Sequence, residues 1–214
     1  MAEPLLTRAP LPAVRPGDRW RFAVTGRLGG TRHEESRRVI AVTEERIVCE
    51  VDSTDVHAAR GRFVYTRQWN LLRRPAPVPA GASAEDVEAA GEWHWQPHYP
   101  QYDFPLLPGK LWRGTARASN RATGTANVHR YEAQVLAARF VDTPAGRFAV
   151  LPVRYVADVA TEDDAPARRW RNEETLFYAP AANHFVRAEQ RVVDPDGQPA
   201  RDAVHELLAH EPAA

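Results

Sequence analysis

Hydrophobic and polar residues alternate along much of the chain, and this pattern predicts a protein built mainly of β-strands. The first example follows Pro16-Gly17, where Trp20, Phe22 and Val24 are separated by polar side chains. An apolar residue at every second position is typical of a strand with one buried face. The predicted strands are residues 19–25, 37–43, 46–56 and 63–72 in the first half and 126–140, 147–159, 168–178, 185–193 and 204–209 in the second.

Residues 73–107 interrupt the alternation. A proline-rich spacer comes first, and Ser83-Ala84-Glu85-Asp86 then has the form of a capping box, which predicts a short helix ending near Gly91. The stretch from Trp93 to Trp112 contains three of the six tryptophans and four prolines. Four prolines exclude a continuous helix and a central strand, because proline lacks an N–H group. We therefore expect an extended aromatic crossing that lies over the sheet and helps to bury it.

The length of 214 residues suits one large β domain. We expect a proline-rich arm at 1–15 and a single domain at 16–214, made of a first meander at 16–72, a linker and aromatic crossing at 73–107, and a second meander at 108–210. The meanders begin with the same phrase, because Pro108-Gly109-Lys110-Leu111-Trp112-Arg113 repeats the Pro-Gly-x-x-Trp-Arg pattern of residues 16–21. This match predicts an internal duplication and equivalent core positions for Trp20 and Trp112.

Three phrases resemble a group of uncharacterised bacterial proteins that contain a domain of unknown function. They are Phe104-Pro105-Leu106 leading to Pro108-Gly109-Lys110 and Trp112, then residues 141–148, and then residues 174–180 followed by 186–189. The fold of that group is similar to the lipoprotein-carrier half-barrel, in which a curved antiparallel sheet wraps around an inserted helix or loop. Many members of the group are exported, and no catalytic residues carry over from it.

The resemblance and the alternation together predict a mainly β fold. We expect a single curved antiparallel sheet, an open half-barrel of about ten strands, with one short helix and the long aromatic crossing. The single cysteine, Cys49, is expected to be a small buried hydrophobe without a disulfide.

The balance of basic and acidic residues argues against nucleic acid as the main partner. Basic and acidic residues number 28 each, so the formal net charge is zero, whereas a nucleic-acid-binding surface is basic.

No apolar run approaches the ~18 residues of a membrane helix. The first residues lack the basic and apolar regions of a signal peptide. We therefore expect a periplasmic or cell-envelope location if a signal peptide was removed, and a cytoplasmic location otherwise.

The aromatic crossing is the main candidate binding site. Its rings either plug the concave face of the sheet or line a pocket for an apolar ligand. An inward arginine could anchor a ligand carboxylate or phosphate, and Arg67 shares the apolar face of its predicted strand. The candidate ligand-binding residues are Trp93, Trp95, Tyr99, Tyr102, Phe104 and Arg67.

Three function classes remain open. The first is a non-enzymatic binding or carrier domain of the bacterial cell envelope that holds an apolar small molecule or lipid, without a cofactor or metal. The second is a small hydrolase or lyase with a site at His94, His98 and Asp103. The third is a scaffold that meets a protein partner through an exposed strand edge or the proline-rich arm. In the segment from His205 to His210 the two histidines are five positions apart, one more than in the zinc-protease motif. The sequence indicates no oligomeric state.

Overall fold

The structure is a computed structural model that describes residues 5–55, 58–79, 81–162, 164 and 166–213. Within them the chain forms thirteen strands, one α-helix and one turn of 3-10 helix at Pro180–Ala182. Helix α1 (Ala84–Ala90) begins at the predicted capping box, in which the side chains of Ser83 and Asp86 each accept a bond from the other's backbone N–H. The strands are β1 (Arg19–Gly26), β2 (Arg32–Val42), β3 (Arg46–Ser53), β4 (Gly61–Thr66), β5 (Leu71–Pro75), β6 (Glu92–Tyr99), β7 (Leu111–Asn120), β8 (Thr125–Val135), β9 (Arg139–Thr143), β10 (Gly146–Thr161), β11 (Arg169–Ala179), β12 (His184–Val193) and β13 (Pro199–Glu211). The mainly β class and the single short helix are confirmed.

The sheet closes into a barrel of twelve antiparallel strands. Strands β1 to β8 follow one another around the barrel, then come β10, β11, β12 and β13, and β13 pairs with β1. Strand β9 lies outside this ring and pairs with the first residues of β10. The predicted open half-barrel of about ten strands is therefore wrong. Sequence periodicity detects a strand with one buried face but does not identify its neighbours, so it could not show that the last strand joins the first.

Two predicted strands are each divided in the structure. Residues 63–72 split at a turn, where the Thr66 N–H donates to the Asn70 carbonyl at 2.8 Å. Trp69 lies in this turn with a φ of 59°, yet its ring is only 2% exposed. The ring therefore continues the apolar alternation through a turn, and the pattern alone could not reveal the break. The predicted strand at residues 126–140 also divides, into β8 and β9, which are separated by residues 136–138.

Strand β6 contradicts the prediction that the aromatic crossing contains no central strand. It pairs with β5 on one side and with β7 on the other. The ladder with β7 covers only Trp93 to Gln96, and it ends before Pro97, which has no N–H to donate. The prolines therefore shorten this strand without abolishing it.

The repeated Pro-Gly-x-x-Trp-Arg phrase has a structural counterpart. The Gly17 N–H donates to the Val39 carbonyl, and the Gly109 N–H donates to the Val135 carbonyl, both at 2.8 Å. The bonds that the two valine N–H groups return, to the carbonyls of Asp18 and Lys110, also match at 2.9 Å. Each phrase thus opens one half of the barrel with the same pairing between its first two strands.

The two tryptophans of the repeat are not equally buried. Trp20 is fully buried, and its indole N–H donates to the Ala182 carbonyl at 2.8 Å. Trp112 is only partly buried, and its indole N–H donates to the Pro100 carbonyl at 3.2 Å. The expectation of two equivalent core residues therefore holds for Trp20 alone. The 3-10 turn covers Trp20, whereas the loop over Trp112 leaves part of the ring exposed.

The lumen of the barrel has two unlike ends. At one end, which we call the packed end, the inward residues and an inserted loop are apolar and fully buried, including Trp20, Leu106, Leu151, Val153 and Leu207. The proline-rich arm reaches the same core, where Ala9 and Leu106 exchange two hydrogen bonds of 2.9 Å. Strand register places polar inward residues toward the opposite end, which we call the polar end: His33, Glu35, Arg74, His129, Glu174 and His205.

Among the described residues, no helix is long and apolar enough to cross a membrane.

Candidate functional site

Three of the predicted ligand-binding residues lie in a row on β6. The ring centroids of Trp93 and Trp95 are 6.5 Å apart, and Tyr99 follows at 6.2 Å from Trp95. Tyr99 also contacts Tyr155 of β10, with ring centroids 4.9 Å apart. Trp95 is buried, whereas Trp93 and Tyr99 are partly exposed. We call Trp93, Trp95 and Tyr99 the aromatic wall.

The other two predicted aromatic residues belong to the packed end. Tyr102 and Phe104 lie in the loop after β6, with ring centroids 5.5 Å apart, and both rings contact Tyr178. The side chain of Asn70 holds this loop, because its Nδ2 donates to the Tyr102 carbonyl at 2.8 Å and its Oδ1 accepts from the Tyr102 N–H at 2.7 Å. Both rings are buried. This part of the crossing therefore plugs the barrel.

Arg67 does not share a strand face with the apolar residues around it, which corrects the sequence-based expectation. Strand β4 ends at Thr66, and Arg67 lies in the turn that follows. Its Nη1 donates to the carbonyl of Thr43 at 2.9 Å in an exposed hydrogen bond. The guanidinium group thus contacts the turn between β2 and β3.

A charged pair lies inside the barrel on β2. The Nε of Arg37 donates to the Glu35 carboxylate at 2.7 Å, and the two side chains are 15% and 14% exposed. The guanidinium group also lies over the ring of Phe185, 5.0 Å from its centroid. Burial is the largest single influence on Glu35 and opposes its ionisation, but the charge and hydrogen bond of Arg37, together with His205 and His33, outweigh burial and lower the pKa of the carboxyl group. The pair is therefore ionised and internally compensated.

The sequence pattern does not reveal this pair, for a physical reason. Residues 32–38 read Arg-His-Glu-Glu-Ser-Arg-Arg and contain no apolar residue, so an alternation search finds no buried face there. The structure nevertheless extends β2 back to Arg32. Only the partners on β1 and β3 show which of these charges face inward.

A second interior carboxyl group is held by amides. The Nε2 of Gln101 donates to Glu174 at 3.1 Å, and the Nε2 of Gln190 donates to its other oxygen at 2.6 Å. Glu174 is 6% exposed. Burial raises the pKa of this carboxyl group above its ordinary value.

Several buried polar atoms of the lumen have no hydrogen-bond partner among the described residues. They include Nε1 of Trp95, Nδ1 of His129 and both ring nitrogens of His205. The two histidines are 6% and 5% exposed, and burial lowers the pKa of each imidazole to about 4. Both rings are therefore neutral at pH 7, and their buried nitrogens can form hydrogen bonds with a ligand. Buried polar atoms in proteins are normally paired, so these atoms indicate places in the lumen that water or a ligand occupies.

The proposed hydrolase residues are engaged elsewhere. His94 is exposed and lies 3.6 Å from the Glu92 carboxylate, and Asp103 forms an ion pair of 2.9 Å with Lys110. Burial lowers the pKa of His98. No group of three or more His, Cys, Asp or Glu side chains placed to hold a metal ion occurs in the described part of the chain.

Two surface grooves lie on outward-facing parts of the sheet. One of about 510 Å³ is lined by β1 to β4 residues, and one of about 230 Å³ by residues of β10 to β13 and Arg27. Their charges are largely paired, as in Arg38 with Glu50 at 2.6 Å and Arg27 with Asp202 at 3.5 Å. Neither groove is lined by a described residue of 93–104. The aromatic crossing therefore does not cover either of them.

Comparisons with known proteins bear on the fold. No family model matches the chain, and no curated protein matches it either. The chain is similar to a solved structure described as a "putative lipoprotein" from Parabacteroides distasonis, with 14% identity over 95% of this chain and 97% of that chain and a TM-score of 0.55. It is also similar to a "putative exported protein with YmcC-like fold" from Bacteroides fragilis, with 16% identity over 95% of this chain and 99% of that chain and a TM-score of 0.51. The chain therefore shares the fold of these two bacterial proteins.

Proposed function

We propose that this protein is a non-enzymatic binding or carrier domain of the bacterial cell envelope. It holds an apolar or lipid-like ligand at the polar end of the lumen, against the aromatic wall. The observation that carries the proposal is that Trp93, Trp95 and Tyr99 line a lumen that also contains buried polar atoms without hydrogen-bond partners among the described residues. Mostly apolar walls with a few polar groups are typical of small-molecule sites.

The size of the barrel supports this proposal. Barrel diameter grows with strand number, and about eight strands already enclose a lumen that side chains fill or that holds one small ligand. Twelve strands therefore enclose more space than the strands alone can fill. The chain fills the packed end with Ala9 of the arm and with Tyr102, Phe104 and Leu106 of the crossing. Helix α1, which precedes β6, buries none of its residues, so it does not fill the lumen.

The predicted residues take different roles in this proposal. The aromatic wall contacts the apolar part of the ligand. Tyr102 and Phe104 form the floor on which the ligand rests, because they are fixed by Asn70 and Tyr178. Arg67 is not assigned to the site, since its guanidinium group bonds Thr43.

The envelope location is also part of the proposal. Its support is that the two similar structures are described as a lipoprotein and as an exported protein. Fractionation of the native organism, with an antibody against the purified chain, tests it. Detection only in the cytoplasmic fraction would contradict this location.

The decisive experiment is native mass spectrometry of protein purified without detergent, followed by titration with the uncharged probe N-phenyl-1-naphthylamine. We expect either a co-purified lipid or saturable probe binding. Trp93→Ala should weaken probe affinity about tenfold, because an aromatic contact contributes up to about 1.5 kcal/mol. Trp112→Ala is the matched control, since that ring is also partly exposed but lies outside the aromatic wall.

The other outcomes separate the remaining function classes. A bare chain that binds no probe would overturn the carrier proposal and leave the crossing as a structural plug. A stoichiometric metal would instead favour the hydrolase or lyase hypothesis. A thermal melt of each variant shows whether lost binding reflects lost folding.

A further inference from the structure

An arginine outside the predicted ligand-binding set lies beside the aromatic wall. Arg74 of β5 pairs in register with Trp93 of β6, and its guanidinium group lies over the ring of Trp95, 5.8 Å from the centroid. None of the ion pairs or hydrogen bonds found among the described residues involves its side chain with a carboxylate. The adjacent Arg73 differs, because it is exposed toward solvent and pairs with Glu92 at 3.4 Å.

A second arginine faces the same space from across the barrel. Arg201 lies on β13, in the same alternating set as the inward residues Ala203 and His205. Strands β5 and β13 are five strands apart in one direction around the barrel and seven in the other, so they form nearly opposite walls. Burial and then the positive charge of Arg201 lower the pKa of Arg74. The positive charge of the exposed Arg201 side chain therefore disfavours the charged form of Arg74. Arg201 also has no ion pair among the described residues.

The other interior charges do not compensate these two arginines. Glu35 is paired with Arg37 at 2.7 Å, and His33 lies 3.9 Å from Asp55. His129 and His205 are neutral, because burial lowers the pKa of each to about 4. Glu174 is the remaining inward carboxyl group among the described residues of the polar end, and it is bound by two glutamines. Among the described residues of the polar end, Arg74 and the exposed Arg201 are therefore the cations without an ion pair.

We propose that Arg74 and Arg201 bind the anionic head group, a carboxylate or a phosphate, of the ligand whose apolar part packs on the aromatic wall. This inference rests on the proposed function and names its ligand class as an anionic amphiphile. Arginine forms short, charge-assisted and often bidentate hydrogen bonds with both anions. Without such a partner, Arg74 remains a partly buried cation that contacts the Trp95 ring and has no ion pair within the described part of the chain, and burying an unpaired charge is costly.

The experiment compares ligands that differ only in the head group. Displacement of N-phenyl-1-naphthylamine is measured with dodecanoate, dodecyl phosphate and 1-dodecanol, and with acetate and inorganic phosphate as head groups without a chain. We expect at least one dodecyl anion to bind about tenfold or more tightly than dodecanol, since a hydrogen bond to a charged group contributes more than a neutral one. Arg74→Gln should remove this preference and leave dodecanol affinity unchanged. Arg73→Gln, at the outward neighbour, should change neither affinity.

The remaining outcomes distinguish a failure of this inference from a failure of the proposed function. Equal affinity for dodecanol and the dodecyl anions, unchanged by Arg74→Gln, overturns this inference but leaves the proposed function standing. Binding of neither the probe nor any dodecyl ligand overturns both. Acetate or phosphate as effective as its dodecyl derivative overturns the assignment of the anion to a lipid head group. Should Arg74→Gln fail to fold, Arg201→Gln at the exposed mouth gives the same comparison.

Discussion

The indole N–H of Trp69 donates a 2.9 Å hydrogen bond to the carbonyl oxygen of Asn183. Among the described residues these are the two non-glycine positions with positive φ, 59° and 50°. Each lies in the connection between two strands, β4 to β5 for Trp69 and β11 to β12 for Asn183. The bond therefore joins corresponding turns of the two halves at the packed end, where His184 also contacts the Trp69 ring at 4.7 Å.

Trp69→Phe should destabilise the protein by about 1–3 kcal/mol, because it leaves the Asn183 carbonyl without its donor in a largely buried place. Urea unfolding measures the loss. Trp93→Phe serves as the control, since the Trp93 indole has no hydrogen bond among those found in the described structure. An equal effect of the two changes would show that ring size, and not the hydrogen bond, matters at position 69.

Trp20→Ala and Trp112→Ala should differ in their effects on stability. Trp20 is fully buried and fills the packed end, so its truncation should cost ~3–5 kcal/mol. Trp112 is partly exposed, and because less apolar area is lost, roughly half that cost is expected. Equilibrium unfolding of both variants checks this. Losses of equal size would restore the simpler expectation from the repeat, that the two positions are equivalent.

Removing one member of the interior ion pair should be far more harmful than removing an exposed one. Arg37→Met leaves Glu35 as an unpaired buried charge and should cost about 3–5 kcal/mol. The double change Glu35→Gln with Arg37→Met should recover most of the loss. Arg38→Met breaks an exposed pair with Glu50, whose side chains are 50% and 48% exposed, and should cost at most ~1 kcal/mol. Urea unfolding of all three variants tests this, and a similar loss in Arg37→Met and Arg38→Met would contradict the interior placement.

His205 should make the protein less stable in mild acid. Its pKa is about 4 in the folded chain because of burial, and about 6.5 in an unfolded chain. Between these values the unfolded chain binds more protons, so the free energy of unfolding falls as the pH falls, by roughly 2 kcal/mol between pH 7 and pH 5. His205→Phe should remove this share of the acid sensitivity.

The measurement is a comparison of urea midpoints at pH 7 and pH 5 for wild type, His205→Phe and His94→Gln. The exposed His94 provides the control and should leave the acid sensitivity unchanged. Glu174 acts in the opposite direction, because burial raises its pKa and so lowers stability as the pH rises, but it is common to all three proteins. Identical pH dependence in wild type and His205→Phe would show that this imidazole is not buried in its neutral form.

The sequence by itself determined the local structure of this protein. Alternation at Trp20, Phe22 and Val24 predicted a strand there, and β1 confirms it. The capping box at Ser83 predicted the short helix. The Pro-Gly-x-x-Trp-Arg repeat predicted an internal duplication, and its two openings share one hydrogen-bond pattern in the structure. These features depend on residues near one another in the chain, whose φ, hydrogen bonding and side-chain direction follow from residue type.

The tertiary structure alone decided that the sheet closes and which charges it encloses. The pairing of β13 with β1 joins residues nearly two hundred positions apart, such as Arg19 and Glu211, and no local pattern identifies such a partner. Closure then turns the charged residues Glu35, Arg74 and Glu174 toward a shared interior. A polar side chain at an alternating position looks the same in sequence whether it faces water or a lumen. Its environment depends on strands that the rest of the chain supplies.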